Sequence, residues 1–230
     1  MKTLIIVGHP QPRNSETQEF LKISASLLKN ITWHELASKP VFKINDERNL
    51  LMTQQRIILQ FPLYWYSAPA LLKKWLDDVL PESSGFNLRG KELGVVVSFS
   101  HAASEFQLGE RVGYSFAELL SPFAALAKHF QMQLLPPFLI ERFAYQTQLQ
   151  RQQLLLAYQQ FLELPQPQNF EMQESWFLQK LTELIGQSKD SRLQQRLNLI
   201  KQQVTENQAE LAELAQMVHN FREDDSLNGK

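Results

Sequence analysis

The chain has 230 residues, enough for one α/β domain of ordinary size with an appendage, and 23 lysines and arginines against 24 acids leave a net charge of −1. No global field therefore draws it to nucleic acid or to an anionic bilayer, and the lack of cysteine excludes disulfides, thiolate metal sites and a cysteine nucleophile. No apolar run approaches the roughly 18 residues of a membrane span, and the N-terminus leads into a strand pattern rather than a signal peptide, so a cytoplasmic protein without a span is expected.

Thr3-Leu4-Ile5-Ile6-Val7 is a β-branched run without alternation, the pattern of a strand covered on both faces of a parallel sheet. It ends in Gly8-His9-Pro10. Ser15 and Gln18 have capping-box spacing, and Phe20, Leu21, Ile23, Leu27 and Leu28 follow near helical period. A second strand fits 32–36, a short helix 45–53, and a third strand 56–61. Pro62 marks that strand's end, Ser67 is placed to cap the next helix, and Pro69 falls in its first turn. This helix buries Leu71, Leu72, Trp75, Leu76 and Val79 and stops near Pro81. Residues 93–99 form the clearest strand, followed by a loop to Phe106, a helix over 114–130 and a last strand over 132–135.

Five strands alternating with helices imply right-handed crossovers and a doubly wound parallel sheet. Such sheets bind ligands beyond the carboxyl ends of their strands, where strand order reverses. The loops 9–15, 62–67 and 98–106 are the candidates for that crevice. Composition changes after Phe143. A glutamine-rich helix over 146–161 is broken by Pro165 and Pro167, which divides the chain into a domain over 1–165 and a helical extension over 166–230. In the extension, Leu193, Leu197, Ile200, Val204, Asn207, Leu211, Leu214, Val218 and Phe221 keep strict four-three spacing, a heptad stripe with Asn207 as its one polar member. A helical hairpin or a coiled coil fits, packed on the body or on another subunit, and the tail from Arg222 is expected to fray.

Tyr64, Trp65 and Tyr66 at the end of the third strand cannot all point into one core, and a turn there exposes backbone amides beside flat rings, which suits a planar heteroaromatic ligand. Phe61-Pro62-Leu63-Tyr64-Trp65-Tyr66-Ser67, continuing to Trp75 and Asp77, with Gly8-His9-Pro10 and Ser15 upstream, resembles the flavodoxin-fold NAD(P)H:quinone oxidoreductases. The likeness is strongest to the branch holding the ancillary oxidoreductases of glutathione-gated potassium efflux systems and related bacterial quinone reductases. It covers roughly 1–143, with further matches at Arg89-Gly90-Lys91, Phe106-Gln107-Leu108-Gly109, Leu120-Ser121-Pro122-Phe123 and Leu135-Pro136-Pro137-Phe138.

The resemblance implies a homodimer with a flavodoxin-like five-stranded parallel sheet that binds FMN, or FAD, and passes two electrons from NAD(P)H to a quinone or similar acceptor by a ping-pong route. It implies that His9, Ser15, Glu16, Thr17 and Gln18 surround the flavin phosphate and that Leu63, Tyr64, Trp65 and Tyr66 line the ring. An N–H-rich loop opening the Ser15 helix agrees, although Ser15 also reads as a plain N-cap. The third loop departs from the family, with Ser98-Phe99-Ser100-His101 where Thr-Thr-Gly-Gly is usual. Ser98, Ser100 and His101 are then ring neighbours, and His101 either hydrogen-bonds the flavin or fills its pocket. The family's active-site tyrosine and histidine align near Phe106 and near Arg111 or Val112, leaving His101 and Arg111 as the candidate catalytic residues. The alternative is a regulatory or interaction protein that has lost flavin and acts through its C-terminal helices. The five histidines show no metal-ligand spacing, so no metal is expected; His34 reads as packed or surface, and any membrane partner would be peripheral.

Overall fold

The computed structural model describes residues 1–36, 41–82 and 85–228, with side chains described as far as Asn220 except at Ala215 and His219. Phe221 of the heptad stripe and the polar tail lie outside those side chains. The chain divides into two compact units, Met1–Pro167 and Gln168–Lys230.

In the first unit, β1 (Thr3–Val7), β2 (Ile31–Glu35), β3 (Arg56–Pro62) and β4 (Glu92–Phe99) alternate with α1 (Glu16–Ser26), α2 (Ile44–Met52) and α3 (Ala70–Val79). The edge of the sheet is built from two short pieces, β5 (Gln133–Leu134) and β6 (Phe138–Glu141), both paired to β4. All pairings are parallel, and the order is β2-β1-β3-β4-β5, so the winding reverses beside β1. The runs that form β1, β3 and β4 are buried along almost their whole length, which is why they show no alternation.

One face of the sheet presents Leu4, Ile6, Ile57, Leu59, Phe61, Val95 and Val97 to Leu51 of α2 and to Leu72, Trp75 and Val79 of α3. The other face carries α1 and the helix α6 (Gln148–Glu163). There Gly94 has no room for a side chain, since a Cβ would meet Phe161 at 3.0 Å and Ile58 at 2.5 Å. Leu71 and Leu76, expected in the core with Trp75, are only partly buried. On the first face His34 and Glu47 form a pair 2.8 Å apart, and Trp75 Nε1 donates to the same carboxylate at 3.0 Å.

Three local expectations are corrected. Ser67 does not cap α3: Pro69 is its N-cap, and Ser67 is used instead in a tight turn with Tyr64. The helix expected over 114–130 is two, α4 (Phe116–Leu119) and α5 (Ser121–His129), because Pro122 has no N–H to continue the ladder through Leu120. The last strand is longer than 132–135 and interrupted, because Pro136 and Pro137 can donate no ladder hydrogen bond and pairing resumes at Phe138.

The second unit contains α7 (Phe170–Gln187) and α8 (Ser191–Asn228), which pack on each other as a hairpin. Asn169 caps α7 by accepting from the Met172 N–H, and Asp190 Oδ1 accepts from the N–H groups of Arg192 and Leu193 at the start of α8.

Candidate functional site

Four loops meet at the carboxyl ends of β1, β3, β4 and β6. The first leaves β1 at Gly8, whose Cβ would lie 2.8 Å from that of Leu72, so strand and α3 approach more closely than a side chain permits. His9 is partly buried, which lowers its pKa, and its Nδ1 accepts the Gln11 N–H at 3.0 Å; the neutral ring then carries its proton on Nε2. A 3-10 turn at Pro12–Asn14 delivers Ser15, whose Oγ accepts from the Gln18 N–H at 3.3 Å. Ser15 is thus an N-cap and also lines the cavity, while the N–H groups of Glu16 and Thr17 have no intrahelical acceptor.

Gln18, expected near the phosphate, is turned into the interior. Its Oε1 accepts from Gln60 Nε2 at 2.7 Å, and Gln60 Oε1 accepts from the Tyr158 hydroxyl at 2.6 Å. Gln60 is a polar side chain on the central strand and needs partners within the fold, and Gln18 and Tyr158 are the ones in reach. Complete burial raises the Tyr158 pKa well above its ordinary value and keeps the hydroxyl a donor. Glu16 is exposed in the first turn of α1.

In the second loop, Tyr64 and Ser67 exchange both backbone hydrogen bonds, at 2.9 and 3.0 Å, around Trp65 and Tyr66. These two have φ of 47° and 62°, both left-handed. A two-residue turn of this hand ordinarily takes Asn-Gly, and here two aromatics occupy it, with Trp65 92% exposed. The strain presents flat rings at the mouth of the crevice. Tyr64 meets His9 edge-on, ring centroids 6.3 Å apart.

The third loop rests on Phe99, Phe106 and Phe116, whose rings pack with centroids 4.2 to 5.2 Å apart. Glu105 Oε1 accepts the Ala102 N–H at 3.1 Å, and its Oε2 lies 3.4 Å from Arg111 and 3.6 Å from His101. His101 Nδ1 is 3.4 Å from Arg111. The two candidate catalytic residues, ten positions apart, therefore share one carboxylate.

The fourth loop was not anticipated. Arg142 has a left-handed φ of 45°, its N–H donates to Phe99 O at 2.8 Å, and its guanidinium lies 5.2 Å from the Tyr145 ring centroid. The only sequence signal for it was position, one residue past the strand that follows the proline pair.

Two cavities result. One of about 320 Å³ is lined by His9, Ser15, Thr17, Tyr64, Ser98, Arg142 and Tyr145. The second, of about 300 Å³, is lined by Trp65, Tyr66, His101, Phe106 and Arg111. They share Leu63, Phe99 and Ser100, so one crevice runs from the N-terminus of α1 to the His101–Arg111 pair. Ser98 and Ser100 line it and do not fill it. Among the described residues no group of three His, Asp or Glu side chains is placed to hold a metal, and no helix is long and apolar enough to cross a membrane.

The chain is 38% identical over 146 residues to an uncharacterized NAD(P)H oxidoreductase, YrkL, of Bacillus subtilis, covering 60% of this chain and 84% of that protein. It is 32% identical over 176 residues to the glutathione-regulated potassium-efflux system ancillary protein KefG of Yersinia pestis, covering 71% and 94%. Among solved structures, an NADPH-quinone reductase from P. pentosaceus matches with a TM-score of 0.68 and 43% identity over 72% of this chain and 99% of that one. General stress protein 14 of Treponema denticola, solved in complex with FMN, matches with a TM-score of 0.62 and 29% identity over 71% and 100%. With a family model of the flavodoxin-like fold matching residues 1–162, and the doubly wound sheet to go with it, the chain belongs to the flavodoxin-like fold family.

Proposed function

We propose that the protein is an FMN-dependent NAD(P)H oxidoreductase that reduces quinones or similar two-electron acceptors. The observation that carries this reading is the single crevice with a helix start suited to an anion at one end and exposed aromatic rings beside the His101–Arg111 pair at the other. The donor set fits FMN. The N–H groups of Glu16 and Thr17, the Ser15 hydroxyl, His9 Nε2 and the positive end of α1 suit a phosphate. Tyr64, Trp65 and Tyr66 suit the ring, with Ser98 and Ser100 as hydroxyl partners at its edge.

When bound, FMN supplies the two-electron chemistry, taking hydride from NAD(P)H and giving electrons to the acceptor. The protein's part is orientation and electrostatics. The strained turn fixes the directions in which the Trp65 and Tyr66 side chains leave the backbone. Arg111, held by Glu105 beside His101, offsets negative charge that develops in the crevice. Trp65 at this mouth is 92% exposed, which supports a homodimer that would cover it, and the cysteine-free composition suits the cytoplasm.

The test is the visible spectrum of the purified protein after addition of FMN and dialysis. Retained flavin bands that bleach with NADH or NADPH are expected. A colourless protein that releases all its FMN would reject this reading in favour of one in which His101 closes the crevice.

A further inference from the structure

The relatives account for the first unit only: 99% of the P. pentosaceus reductase is matched by 72% of this chain, and the family match ends at residue 162. The second unit is an addition with its own logic. α8 has 38 residues and α7 has 18, about 57 and 27 Å at the helical rise. Gln194 Nε2 donates to Ile185 O at 3.2 Å and to Ser188 O at 2.7 Å, fixing the start of α8 against the end of α7. From that corner, α7 accompanies α8 only to about Gln208.

The four-three stripe does not stop there. It continues through Leu211, Leu214 and Val218, which are half-exposed, as is Met217 beside them. A strict seven-residue repeat drifts around a straight helix by about 20° per heptad, so it stays on one side only if the helix supercoils about another helix. A helix resting on a globular surface would show a period of 3.6 instead. Along α7, Leu197 and Val204 are partly covered while Leu193 and Ile200 stay nearly half-exposed, and beyond Gln208 the stripe needs a helix from outside the hairpin.

We propose that this half of α8 forms a parallel, in-register two-stranded coiled coil with a second copy of the chain. Asn207 decides both partner and direction. Paired in register, its amide meets the partner's Asn207, and the two can hydrogen-bond across the seam. Gln203 Nε2 already donates to Asn207 Oδ1 at 3.0 Å and orients it. Antiparallel registers set Asn207 against Leu197 or Val204, which would bury an amide against alkyl groups. In this register Val204, Leu211 and Val218 fall at a and Asn207 and Leu214 at d; β-branched residues at two of the three a positions with leucine at d favour two parallel strands. One pair opposes the register, Arg196 with the partner's Lys201. It falls where Lys201 is half-buried on the side turned to α7, so intermolecular pairing begins at Val204.

The chain has no cysteine, so a single introduced thiol is a clean reporter. In the full-length protein, Leu214→Cys on the seam should form disulfide-linked dimers under mild oxidation, at least ten-fold more than Ala209→Cys on the opposite side of α8. Independently, Leu211→Glu added to the Leu214→Cys variant should abolish that cross-link, even where contacts of the flavodoxin-like unit keep the sedimenting mass dimeric. Equal cross-linking at the two positions, or a Leu214→Cys cross-link that survives Leu211→Glu, would overturn the proposal and assign the stripe to this chain or to a different protein.

Discussion

Arg56 and Arg111 lie at opposite ends of the sheet in opposite surroundings. Arg56, at the amino end of β3, is fully buried, and each of its groups is engaged: Nε with Glu92 at 2.6 Å, one terminal nitrogen with Leu164 O at 2.8 Å, the other with Phe161 O. It holds the last carbonyls of α6 to the sheet, where a cation also suits the helix dipole. Arg111, beyond the carboxyl end of β4, is 71% exposed and touches Glu105 and His101 only at 3.4 Å. A buried cation with each of its three nitrogens hydrogen-bonded is part of the scaffold. A loosely held one in a crevice is available to a ligand.

That contrast is broken most directly at the buried end. Arg56→Met should cost about 3–5 kcal/mol in denaturant unfolding, since it strands two carbonyls and a partly buried carboxylate. FMN affinity of the folded fraction should barely change, and a loss of stability under about 1 kcal/mol would mean that Arg56 is not the clamp. Glu47→Gln is the milder version: Trp75 keeps an acceptor while His34 loses the carboxylate beside it, for about 1–3 kcal/mol.

The same contrast explains what was legible in the sequence. The run over 93–99 needed only its β-branched composition to be read as a buried strand, and the aromatic triplet over 64–66 its place at a strand end. Arg56 gave no sign, because its partners are 36, 105 and 108 residues away and nothing local distinguishes it from the first residue of a strand. Gln18 was misplaced for a related reason: its spacing to Ser15 was visible, but its partner Gln60 is 42 residues off. The left-handed turn at Trp65 and Tyr66 was hidden because no glycine or asparagine announces it, and Arg142 because two prolines split the strand that presents it.

At the open end the expected signs differ. Replacing Trp65-Tyr66 by Asn-Gly should stabilise the fold by about 1–2 kcal/mol, because the left-handed turn no longer opposes β-carbons. FMN should meanwhile bind roughly ten-fold or more weakly, from lost ring contact of about 1–3 kcal/mol. Titration of both variants with FMN and with denaturant checks the pair of signs; a variant less stable than the parent would deny that the turn is strained. Arg111→Ala should change stability by less than about 0.5 kcal/mol and lower turnover while FMN is retained.

The smallest effect belongs to His9. Its folded pKa is depressed by burial, so below its ordinary value near 6.5 the unfolded chain takes up the proton more readily than the fold does. Stability therefore falls as pH drops below about 6.5 and is untouched by this group above it. His9→Gln removes this titrating group. Unfolding curves at pH 7.5 and pH 5.5 should then show a smaller acid loss for the variant than for the parent, and an equal loss would mean that protonation of His9 is as easy in the fold as out of it. Bound FMN should enlarge the difference if the neutral ring donates Nε2–H to its phosphate, and should shrink it if the phosphate recruits the charged imidazolium, so the sign of that change reports which form of His9 the ligand selects.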